Sequence, residues 1–133
     1  MSYIQAGHFE ASGANVALVW PNMNRNPDFL LAWNETKFAT DATNIVLFWD
    51  KDYAAGDASL IVNEADAGIG VAETTNGVTQ NDSVAYSDTN NLTQASHTLN
   101  LTLGSAFRGA DSDEIHYLAI WADNFVDHGD INA

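Results

Sequence analysis

His97-Thr98-Leu99-Asn100-Leu101-Thr102-Leu103 alternates without a break, with three leucines on one side and polar residues on the other. A period of two places successive side chains on opposite faces of a strand, so this segment reads as a strand with one face buried and one wet. The same period recurs to either side of it. Strands are expected at Tyr3–Glu10, Val16–Trp20, Phe29–Trp33, Asn44–Asp50, Ser59–Asn63, Gly70–Thr74, Ser83–Tyr86, His97–Leu103 and Glu114–Trp121. In two of these, Ile45-Val46-Leu47-Phe48-Trp49 and Tyr117-Leu118-Ala119-Ile120-Trp121, both faces are apolar. Such strands are either covered on both sides within the domain or turn their outer side to another molecule.

Turn formers punctuate the pattern at Ser12-Gly13, Asn26-Pro27-Asp28, Ala55-Gly56-Asp57, Asn76-Gly77, Asn90-Asn91 and Arg108-Gly109. Asn76-Gly77 is the most specific of these, because both residues tolerate the positive φ angles of a type I′ hairpin turn. The two prolines fall in one loop, where no ladder hydrogen bond is lost. Ala106 to Glu114 has room for one short turn, and no repeat, linker or low-complexity tract divides the chain. The reading is all-β: a single antiparallel β-sandwich or barrel-like domain over residues 1–133, with 1–12 as its first strand or as an N-terminal arm.

Composition narrows the function. Eighteen acidic residues face four basic ones (Arg25, Lys37, Lys51 and Arg108), a net charge of −14. Displacing counterions from phosphate takes a cluster of cations, so nucleic acid and anionic membrane surfaces are not expected partners. No apolar run approaches the length of a membrane helix. The opening Met1-Ser-Tyr-Ile-Gln-Ala-Gly has neither a basic nor a hydrophobic leader region, so synthesis in a cytoplasm is expected. Absence of cysteine removes disulfides and thiolate metal sites together.

The residue types that carry chemistry do not assemble into a motif. Asp50 and Asp52, and Asp111, Asp113 and Glu114, are possible calcium ligands. The calcium-loop template nevertheless fails from Asp50, where its fifth and twelfth positions are Ala54 and Ile61. A glycosidase carboxylate pair has no specific signal in so acidic a chain. His8, His97, His116 and His128 lack zinc spacing, and there is neither a nucleophile elbow nor a phosphate-binding glycine loop. The sequons at Asn34, Asn81, Asn91 and Asn100 are those of an Asn- and Thr-rich chain. No catalytic residue, metal or cofactor is therefore expected. Trp20, Trp33, Trp49 and Trp121 lie at the ends of expected strands, either capping the core or forming a sugar-stacking platform. The platform is the basis of an alternative reading as a carbohydrate-binding β-sandwich module.

Both ends of the chain carry a resemblance. Ser2-Tyr-Ile-Gln-Ala-Gly-His-Phe-Glu-Ala-Ser-Gly13, then Asn15-Val-Ala-Leu-Val-Trp-Pro-Asn22 with Pro27-Asp-Phe-Leu-Leu-Ala-Trp-Asn-Glu-Thr36, and finally Gly104 to Trp121 resemble small β-rich virion structural proteins of tailed bacteriophages. The match is one of strand and turn order over most of the chain, weakest between Gly56 and Asn100. It implies a capsid decoration (cement) protein without enzymatic activity, with a tail or neck component as the near relative. It further implies the major capsid protein as partner, a homo-oligomeric state such as a trimer, and a place on the capsid exterior after assembly in the host cytoplasm. Tyr3, Ile4 and Phe9 are the expected contact residues, since aromatic and aliphatic anchors dominate interfaces. Strand addition by the N-terminal segment is one means of contact. The other reading of Tyr3–Glu10 is as the first strand of the domain's own sheet.

Overall fold

A computed structural model describes residues 3–20, 23, 25–38, 44–64, 67–81 and 99–122. Within them the chain is all strand and turn, with no helix. The strands are β1 (Tyr3–Glu10), β2 (Val16–Val19), β3 (Phe29–Asn34), β4 (Asn44–Asp50), β5 (Ala58–Glu64), β6 (Ala67–Glu73), β7 (Val78–Asn81), β8 (Asn100–Leu103) and β9 (Glu114–Trp121). They form an antiparallel six-stranded sheet in the order β1-β9-β3-β4-β5-β6 and a three-stranded sheet in the order β2-β8-β7. The two sheets pack together without closing into a barrel, so the fold is a β-sandwich.

Alternation explains the packing. In β3 the even positions Leu30, Ala32 and Asn34 are buried, while Phe29, Leu31 and Trp33 are only half-buried. Register carries the inner row across the sheet from Leu30 to Trp49 and Ala119, and from Leu47 to Leu60. Leu18, Leu101, Leu103 and Val78 of the small sheet complete one core with these residues. Trp20 joins the sheets at one end, meeting Tyr117 and Trp121 edge-on with ring centroids 6.0 and 5.2 Å apart. Fully burying side chains of this size contributes roughly 1.5–3 kcal/mol each before entropy is counted.

Three sequence expectations meet the structure here. β1 is the domain's own first strand, paired with β9 from Tyr3↔Trp121 to Glu10↔Glu114, and forms one edge of the large sheet. The expected strand Ser83–Tyr86 lies outside the described residues, as do His97 and Thr98, whereas β7 runs over Val78–Asn81 and pairs with β8. Asn76-Gly77 is not a type I′ hairpin turn: the described residues with positive φ are Gly13, Gly56, Gly109 and Ser112. The reason is that β6 and β7 belong to different sheets, so the chain crosses the sandwich at this point. Gly77 serves close approach instead, because a Cβ there would lie 2.7 Å from the Gly56 carbonyl oxygen.

Polar interactions hold the ends of the sandwich. Asp28 Oδ1 accepts from Arg25 at 2.8 Å and lies 3.5 Å from Lys51, while Oδ2 accepts from the amide of Ala122. Burial opposes ionisation of this carboxyl, but the hydrogen bonds from Arg25 and Ala122 and the two nearby cations outweigh it and lower its pKa. Glu73 caps the β6–β7 crossing. Its Oε1 accepts from the amides of Thr75, Asn76 and Thr74 and from the Thr75 hydroxyl, and these bonds lower its pKa.

Candidate docking face

The second sheet covers one side of the six-stranded sheet; among the described residues no layer covers the other. Register assigns that outer side row by row. One row runs Ile4, Ile120, Phe29, Asp50. The next runs Ala6, Leu118, Leu31, Phe48, Ser59, Ala72. The third runs His8, His116, Trp33, Val46, Ile61, Gly70. Leu31, Phe48, Leu118, Ile120, Val46 and Ile61 are all half-buried, and Ile4 is 59% exposed. The two strands read as apolar on both faces, β4 and β9, thus bury their inner residues more completely than their outer ones, which are half-buried.

A polar margin borders the apolar field. His8 and His116 stack with centroids 5.3 Å apart, and His116 stacks in turn on Trp33 at 5.7 Å with planes 12° apart. Glu114 Oε2 lies 2.8 Å from His8 Nδ1 and 3.9 Å from His116 Nε2. Beyond them Glu10 stands directly opposite Glu114, and the amide of Glu35 donates to the Glu114 carbonyl at 2.9 Å. Two carboxylates therefore face each other at one border of the face, and Glu35 follows β3 at the same end of the sheet.

Of the expected contact residues, Ile4 lies on this outer side and is exposed. Tyr3 is exposed on the other side of β1, edge-on to Trp121 at 5.6 Å. Phe9 also points inward, half-buried against the core, so the three do not form one cluster. The tryptophans divide in a similar way. Trp20, Trp49 and Trp121 are buried, leaving Trp33 alone on the outer face, and no sugar-stacking platform can be built from the other three. The acidic pairs serve the chain itself. Asp50 Oδ1 accepts from the Asp52 amide, and buried Asp113 accepts from Asn34 Nδ2 at 2.9 Å and from the Ala110 amide at 3.0 Å. Among the described residues no group of three or more His, Asp or Glu is placed to hold a metal ion. A concavity of about 360 Å³ opens beside Asp113, lined also by Asn34, Lys37 and Arg108. Asp113 and Asn34 are bonded to each other there, and Arg108 donates to Asn15 Oδ1 at 2.9 Å.

Sequence reasoning missed the His–His–Trp row and the acidic border, because both depend on which strands are neighbours. No protein-family model, curated protein or solved structure matches this chain.

Proposed function

We propose that this protein is a virion structural component, a capsid decoration protein that docks on the major capsid protein through the outer face of its six-stranded sheet. The observation that carries the docking reading is the contiguous apolar field around Leu31, Phe48 and Leu118 on a sheet whose other side already holds the core. The capsid as partner rests on the resemblance of the chain's ends to phage virion proteins. The residues of that resemblance at the two ends, in β1 and β9, lie side by side and contribute Ile4, Leu118 and Ile120 to the face. The proposed role is binding and not catalysis. Contacts between copies fall to the sheet edges β1 and β6, where Tyr3, Ile69 and Val71 are exposed. A shell lattice would multiply many weak contacts of this kind.

Quantitative mass spectrometry of purified particles tests the proposal. It predicts the chain in copy numbers comparable to the major capsid protein. A few copies per particle would favour a neck or tail position, and absence from the particle would overturn the proposal.

A further inference from the structure

We infer that the surface received by the outer face is an apolar ridge bordered along one side by arginine or lysine, and that it is not a second copy of this chain. The inference rests on the docking reading but not on the partner being a capsid protein.

The acidic border supplies the first argument. Glu10 and Glu114 are direct cross-strand neighbours, and like charges in that position destabilise an antiparallel pair. Glu35 follows directly on β3, its amide donating to the Glu114 carbonyl at 2.9 Å. Among the described residues it is imidazole that faces the Glu10–Glu114 pair, with His116 Nε2 3.9 Å from Glu114. His8 places Nδ1 2.8 Å from Glu114, but Arg25 and Lys51 are engaged with Asp28, and Arg108 with Asn15. Lys37 lines the concavity beside Asp113. None of the strand positions on the outer face is a lysine or arginine. A partner that brings cations to this border relieves a repulsion already present in the free protein.

The second argument is geometric. Glu10 and Glu114 pair at one border, with the His8–His116–Trp33 stack between them and the apolar field, whereas Asp50 at the far border accepts from the Asp52 amide of its own turn. A guanidinium reaching Glu114 crosses that stack, and planar cations pack well on aromatic faces. The apolar ridge beside it then rests on Leu31, Leu118 and Phe48. The surface thus prescribes the order of its partner: cation first, then apolar side chains. A second copy fails on charge, since it brings another −14 and no cation on its matching face.

The test uses the full chain, isotope-labelled, titrated with three synthetic amphipathic helical peptides. One carries a leucine face bordered by arginines, one the same face bordered by glutamates, and one the arginines with serines in place of leucine. The first should bind saturably with chemical-shift changes confined to outer-face residues, and the other two at least tenfold more weakly. Glu10→Gln, Glu35→Gln and Glu114→Gln combined should weaken the first peptide about tenfold. Asp52→Asn, Asp57→Asn and Asp111→Asn combined remove the same charge elsewhere and should leave it unchanged. Equal losses in the two triple variants would reduce the effect to net charge and overturn the inference, as would equal binding of the glutamate peptide. Concentration-dependent shifts of the same residues without peptide would assign the face to a second copy and also overturn it. These outcomes are independent of particle composition, so the inference and the capsid proposal fail separately.

Discussion

Leu30 and Leu31 are adjacent, chemically identical, and on opposite sides of β3, which makes them a matched probe of whether the outer face is open in the free protein. Leu30 is fully buried between the sheets, beside Trp49 and Ala119 in the register. Leu30→Ala removes its contacts and leaves a cavity, costing about 3 kcal/mol within the usual range of roughly 2–5. Leu31 is half-buried against Phe48 and Leu118, its cross-strand neighbours. Truncation there leaves a dent that water fills, so only the lateral contact area is lost, about 1 kcal/mol. The difference of about 2 kcal/mol corresponds to roughly a 1 M separation of urea midpoints for a domain of this size. Equilibrium urea unfolding followed by circular dichroism reads it directly. Equal losses for the two variants would mean that something in the isolated chain covers the outer face, and the docking argument would fall.

Other predictions follow from the sandwich ends and the glycines. Glu73→Ala removes the acceptor of three amides and a hydroxyl at the β6–β7 crossing. Because the carboxyl pKa is lowered in the fold, its contribution is present above the unfolded pKa and is lost as pH falls through the folded one. The variant should therefore be less stable than the parent at neutral pH, and the difference should shrink as pH falls through the lowered carboxyl pKa in chemical denaturation. Asp28→Asn keeps the shape but removes the charge that Arg25 and Lys51 face, and should cost about 1–2 kcal/mol at neutral pH. The sign is the same, since Asp28 is also lowered, so that cost too should shrink on acidification. Gly77→Ala forces a Cβ against backbone and should lower stability by about 1–3 kcal/mol. Gly70→Ala meets nothing within 4 Å and should be neutral or stabilising by up to about 1 kcal/mol in the same urea unfolding measurement.

The sequence revealed the strands better than their arrangement. β1, β4 and β9 have the bounds that alternation alone predicts, because long apolar periods leave little freedom in where a strand begins. β7 escaped because Val78-Thr79-Gln80-Asn81 offers one buried residue, Val78, and otherwise reads as polar loop. Asn76-Gly77 misled because a turn dipeptide signals a reversal without saying which sheet receives the next strand. The double-sided apolar character of β4 and β9 was legible and pointed to the face. The rows that give the face its chemistry were not. His8 and His116 are 108 positions apart and meet only because the first and last strands are neighbours. Glu10 and Glu114 face each other for the same reason.

The central claim, that this protein works through the outer face of its large sheet, is tested most directly by covalent footprinting of the chain free and in purified particles. Protection of Leu31, Phe48 and Leu118 in the particle, with labelling of the exposed β6–β7 crossing at Thr74 to Asn76 unchanged, is the predicted result. Equal labelling of the three face residues in both states, with protection appearing elsewhere, would contradict it.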